Sequence, residues 1–134
     1  MPKPLTLLPF LALIGGCFAD EGLTGYAPGR WHLVQNGGAD PSAATQAITL
    51  DLSTRGLISG RGPCNAYSAP QTAPYPWFAP GPVTSTHRAC PGLAAEQAYL
   101  AALSQMSLAE VSGPVLILSN DAGETLEFRP APPA

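Results

Sequence analysis

Apolar and polar residues alternate with the period of a β-strand most clearly in one stretch of this chain. In "AITLDLS" (residues 47–53), Ile48, Leu50 and Leu52 alternate with Thr49, Asp51 and Ser53, which gives one apolar and one wet face. "RWHLVQ" (30–35) reads as a strand before it, followed by the loop "NGGADPSA". "GLISG" comes after "STR" at hairpin spacing, and "NAYSA" continues as a strand. "QTAPYPWFAPGP" (71–82) carries four prolines, so it is a loop or an irregular edge and not a central strand. "VTSTHRA" is β-branched at its start and extended. Farther on, "LAEV", the break "SGP", the run "VLIL", the turn "SNDAG" and "TLEF" form a β-meander.

One stretch has the other period. "PGLAAEQAYLAALSQM" (91–106) is rich in Ala, Leu, Gln and Glu, and its Pro91 suits a first helical turn. Leu93, Leu100 and Leu103 line one side, broadened by Tyr99 and Met106. Strands, one helix, then strands predict an α+β fold: a small curved antiparallel sheet, an incompletely closed barrel, packed on one helix.

The amino-terminal stretch is read separately. "MPKPLTLLPFLALIGGC" has a weakly basic start, an apolar run and small residues before Cys17, the pattern of a secretory signal too short to span a bilayer. "IGGC" resembles the bacterial lipobox, which implies a signal of residues 1–16 and acylation of Cys17. Several acyl chains anchor stably where one does so only marginally. Cleavage after Ala19 is the alternative. Phe18 after Cys17 resembles lipoproteins of the outer membrane that face the periplasm. Residues 17–29 read as a tether, 30–130 as the domain and 131–134 as a loose tail.

Composition narrows the classes. Six Lys plus Arg, scattered along a chain of net charge −3, leave no basic stripe for nucleic acid. Abundant Pro (16) and Gly (14) favour short elements and turns. G-x-S-x-G, P-loop, H-E-x-x-H and G-x-G-x-x-G patterns do not occur in the sequence. The expectation is a protein that is not an enzyme, without cofactor or metal.

Two further cysteines, Cys64 and Cys90, remain after processing. In an oxidising compartment such a pair reads most simply as a disulfide, closing a loop of about 27 residues worth roughly 3.5 kcal/mol in the chain-entropy model. The other readings are a thiol nucleophile beside His87 or His32, a zinc site built from Cys64, Cys90, His32 and His87, and two buried thiols.

Taken in order, "WHLV", "ITLDL", "ISGRGPCNAY", "STHRACP", "EQAYLAAL", "LIL" and "LEF" resemble the META domain, the HslJ-like family. The resemblance runs from about Gly29 to Pro130. It implies the incompletely closed barrel on one helix, no established catalytic activity or cofactor, and membership among envelope proteins linked to stress tolerance. The chain departs from the pattern at Pro63, where glycine is usual, at His87 and Arg88, and at Ala69. The fold also resembles that of secretin pilotins, which implies a groove for a hydrophobic ligand or a partner peptide.

Glu96 lies at helical spacing from Leu93, Leu100 and Leu103, so a structural clasp is expected there. A buried carboxylate needs a partner; Arg88 and Arg61 are the first candidates, Thr86 and backbone N–H groups the lesser ones. Asn65 is expected to bond local backbone in a turn. His32 and His87 read as ordinary packed or surface residues, and Trp31 as a core anchor. Tyr75, Trp77 and Phe78 form a candidate binding patch or a lid over the barrel mouth. The leading functional expectation is an envelope lipoprotein with a binding or supporting role in stress tolerance. A pilotin-like carrier of a hydrophobic ligand or partner peptide is the alternative.

Overall fold

The structure, a computed structural model, describes residues 2, 4, 20–36 and 47–132. Cys17, nearly all of the signal-like stretch and most of the loop after Asn36 lie outside the described residues. The strands are β1 Arg30–Asn36, β2 Thr49–Asp51, β3 Leu57–Arg61, β4 Ala66–Pro70, β5 Thr84–Ser85, β6 Leu108–Ser112, β7 Val115–Ser119 and β8 Thr125–Pro130. A short helix α1, Leu23–Tyr26, precedes β1, and the long helix α2, Leu93–Gln105, connects β5 to β6. The strands form one antiparallel sheet in the order β5-β4-β3-β2-β1-β8-β7-β6. Its amino-terminal half meanders out from β1 on one side and β8, β7 and β6 extend on the other. The sheet is curved and stays open: β5 and β6 are its two edges, and α2 is the segment that runs from one edge to the other.

The period-two pattern sets which residues point inward. Ile48, Leu50 and Leu52 are buried, as are Leu116 with Leu118 and Leu126 with Phe128. In "VLIL" the alternation persists inside an apolar run, for Val115 and Ile117 are only half-buried. Each fully buried Leu or Phe contributes roughly 1.5–3 kcal/mol relative to an exposed one. The helix turns Glu96, Tyr99 and Leu103 to this core, joined by Met106 just past its end. Leu93 and Leu100, expected on that face, sit at its margin, because the polar Glu96 takes the inward position. Pro91 lies ahead of the first turn, in a lead-in closed by the Leu93 N–H to the Cys90 carbonyl at 3.0 Å.

Tyr99 carries the helix into the barrel. Its ring meets Tyr67 edge-on at 5.7 Å and Phe128 at 6.4 Å, pairs worth about 0.5–1.5 kcal/mol beyond burial. The Tyr67 hydroxyl donates to the Thr49 carbonyl at 2.7 Å. Its one proton is thereby used, so the 2.7 Å contact with Tyr99 has Tyr99 donating to the Tyr67 oxygen. Gly60 makes room, since a Cβ there would collide with the Thr49 carbonyl and approach the Tyr67 hydroxyl.

The proline-rich stretch is an irregular edge, as its composition requires. Residues 74–78 run along the outer side of β6. Phe78 N–H donates to the Ser107 carbonyl at 3.0 Å, Ala109 N–H to the Pro76 carbonyl at 2.8 Å, and Val111 N–H to the Tyr75 hydroxyl at 3.1 Å. The strap thus satisfies donors that an edge strand would otherwise leave open to another chain.

Residues 20–29, expected as the end of a tether, are instead part of the fold. Leu23 and Ala27 are 2% exposed, and the Ala27 carbonyl accepts the Trp31 indole N–H at 2.9 Å. The polar composition of the segment hid two apolar anchors at helical spacing. Asp20 accepts the Thr24 hydroxyl and the Gly22 N–H. These bonds, Thr24 foremost, and Arg55 at 3.8 Å hold its carboxyl below the ordinary range.

Burial raises the Tyr67 and Tyr99 hydroxyls well above the ordinary tyrosine value of about 10. A group whose pKa is raised on folding stabilises the native state below its unfolded pKa and loses that contribution as pH rises. Stability is therefore expected to fall from about pH 10 upward. Tyrosinate absorbance from these two residues should appear only with the unfolding transition, and Y67F/Y99F should remove that increment.

Candidate functional site

The candidate site is a cleft of ≈ 240 Å³ between α2 and residues 85–89, lined by Leu93, Gln97 and Leu100 on the helix and by His87 and Arg88 opposite. Asn65, Thr86 and Glu96 form its polar base. Three chain segments meet there: the β3–β4 loop, the stretch after β5 and the first turns of α2.

The loop "GRGPCN" delivers Asn65. Its ends are tied by the Gly62 N–H to the Asn65 carbonyl at 2.8 Å, with Pro63 and Cys64 between them. This bond uses no donor from residue 63, so proline is accommodated there. Gly62 is required by approach: a Cβ would collide with the Glu96 carboxylate.

Asn65 uses its whole hydrogen-bonding capacity. Nδ2 donates to the Arg88 carbonyl at 3.0 Å and to Glu96 Oε2 at 2.6 Å. Oδ1 accepts the Thr86 hydroxyl at 2.9 Å and the Arg88 N–H at 2.6 Å. Two donors and two acceptor positions are all that an amide side chain has. Glu96, 2% exposed, also accepts the Cys64 N–H at 3.1 Å and the Asn65 N–H at 2.7 Å through Oε1. The Thr86 hydroxyl in turn accepts the Ala66 N–H at 3.2 Å.

The clasp expected at Glu96 exists, with different partners. Neither the Arg88 nor the Arg61 guanidinium pairs with the carboxylate among the described residues, whose ion pairs are Arg55–Asp20 and Arg129–Glu127. Arg88 takes part through its backbone, whereas Arg61 lies outside the clasp, its backbone N–H donated to Thr49 Oγ1 at 3.0 Å. Two backbone N–H groups and an amide supply the buried carboxylate without the desolvation of a guanidinium. Asn65, expected to serve a local turn, links segments more than twenty residues apart. A polar residue beside a cysteine was the only signal of this role, and its distant partners leave no mark on local spacing.

The two cysteines of this region are joined. Cys64 and Cys90 form a disulfide with Cα atoms 5.7 Å apart, which removes the thiol-nucleophile, zinc and free-thiol readings. Among the described residues no group of three or more His, Cys, Asp or Glu could hold a metal ion. His87 is exposed at the cleft rim, whereas His32 lies on β1 between Thr49 and Arg129. The candidate patch is divided: Trp77 is 58% exposed and Tyr75 half-buried, while Phe78 is in the core at 2%.

A family model for the META domain matches residues 23–133. The chain belongs to the META-domain family. The match begins at Leu23, the first buried residue of α1, so the META domain here includes the segment ahead of β1. An NMR structure of a protein from Burkholderia xenovorans is 28% identical, with 86% of this chain and 85% of that one covered at a TM-score of 0.61. A crystal structure of a DUF4847 family protein from Bacteroides vulgatus superposes with a TM-score of 0.66 at 14% identity, covering 81% of this chain and 96% of that one. That likeness is one of fold. No curated protein matches the chain.

Substitutions at the joint of this META domain test the network directly. E96Q sets an amide N–H₂ against the Asn65 amide and is expected to cost about 1–3 kcal/mol in chemical denaturation. N65D sets two carboxylates together and should cost at least as much. In N65D/E96Q the new amide can donate to the new carboxylate, so the double variant should lose less than the sum of the singles. C64S/C90S should lose roughly 3 kcal/mol.

Proposed function

We propose that this META domain is a non-catalytic module of the bacterial cell envelope. In this reading it is acylated at Cys17, hangs from the outer membrane into the periplasm, and binds or supports another envelope component under stress. The observation that carries the reading is the Cys64–Cys90 disulfide at the joint of three segments, which favours an oxidising compartment. Lipidation is inferred from the "IGGC" sequence. The saturation of Asn65 favours support over catalysis, because a polar group bound on every side must break bonds before it can act on a substrate.

The cleft favours one form of a carrier role, capture of a partner peptide. The inner faces of the strands carry buried side chains such as Leu50, Ile58 and Phe128, and Tyr99 of α2 packs among them. The cleft beside α2 is smaller than common ligand pockets of about 300–1,000 Å³. It suits a side chain or two of a partner peptide between Leu93 and Leu100.

Intact mass of the mature chain from envelope fractions tests the leading reading. The expected result is a chain that starts at Cys17, carries acyl groups and has no alkylatable thiol. C17S should release the domain from the membrane fraction and fail to restore survival of a deletion strain under envelope stress. An unacylated cytosolic chain with reduced thiols overturns the proposal.

A further inference from the structure

Among the described residues, exposed large apolar side chains adjoin the point where the lipid-bearing end would leave the fold. Tyr26 is 54% exposed, Trp77 58% and Leu108 36%. The Tyr26 ring stacks on Tyr75 at 4.2 Å, and Trp77, two residues farther along the same strap, pairs its backbone with Leu108 of β6. Such rings, apolar in body and polar at the tip, suit the boundary between lipid and water.

The anchor segment is bonded to this same strap. Tyr75 N–H donates to the Glu21 carbonyl at 2.7 Å, and Gly22 bridges to Pro74. Glu21 lies four residues after Cys17, a reach of at most about 14 Å for extended chain. An acylated Cys17 therefore cannot let the bilayer stand far from the aromatics.

We propose that the surface formed by Tyr26, Tyr75, Trp77 and Leu108 rests on the lipid–water interface and orients the barrel on the membrane. The proposal rests on the acylation of Cys17 and adds a second, non-covalent contact. That contact is apolar in origin: the exposed Arg55 is paired with Asp20 and Glu21 is exposed beside them, so the local charge does not draw the domain to anionic lipid. The cleft at α2 lies elsewhere on the fold, between the helix and residues 85–89, and stays available to a periplasmic partner.

The two tryptophans provide the readout, since Trp31 is 5% exposed and Trp77 is on the surface. The acylated mature chain is bound to phosphatidylcholine vesicles whose acyl chains are brominated near the glycerol end. Trp77 emission should shift to shorter wavelength and be quenched by the bromolipid, the quenching should persist in high salt, and W77F should abolish it. A chain that floats with the vesicles and carries acyl groups, yet keeps Trp77 unquenched and open to aqueous iodide, overturns the proposal and leaves the anchor standing; the surface would then face a protein. A chain without acyl mass that does not float removes anchor and proposal together.

Discussion

The hydrogen bonds between Asn65 and Glu96 are the constraint on which this fold depends. Each is a buried polar group, and each would be costly to bury unpaired. Their mutual bond, at 2.6 Å, places the first turn of α2 against the β3–β4 loop. The remaining valences of Asn65 fix the chain at Thr86 and Arg88, where it leaves the edge strand β5 for the helix. Once this joint forms, Tyr99 has one place to go, one turn farther along α2 and into the barrel against Tyr67 and Phe128. The disulfide ties the same two segments covalently, limiting the unfolded chain more than it adds to native contacts.

An open barrel has two sheet edges to manage, and this META domain treats them differently. At β6 the proline-rich strap accepts and donates backbone bonds, yet cannot itself be extended into a further regular strand because proline lacks the N–H. At β5 the strand is only two residues long, and the cleft beside α2 opens next to it. The strap divides its aromatics: Phe78 takes a core position, Tyr75 is half-buried and Trp77 stands on the surface. A membrane-facing side at the strap and a partner-facing side at the cleft follow from this division as a consistent proposal.

The glycines of "SGRGPCN" illustrate how a motif with no reaction to perform can still demand particular residues. Gly60 admits the Thr49 carbonyl and the Tyr67 hydroxyl, and Gly62 admits the Glu96 carboxylate. The motif is shaped by what must come close to it: a hydroxyl ladder on one side and a carboxylate on the other. In this chain its cysteine is structural, joined to Cys90.

The sequence by itself determined what depends on local periodicity and on chemistry confined to one stretch. Alternation at Ile48, Leu50 and Leu52 was sufficient for β2 and its inward face, because side chains of a strand must point to alternate sides. The Ala- and Leu-rich run was sufficient for α2, and two cysteines sufficed to suggest their bridge. Only the tertiary structure decided the partners of Glu96, since helical spacing marks the carboxylate as inward-facing but cannot say that Asn65, thirty-one residues earlier, will meet it. It likewise decided that Leu23 and Ala27 belong to the core and that Trp77 and Phe78 part company. Burial belongs to the assembled sheet, strap and helix, and no local pattern contains the neighbours that create it.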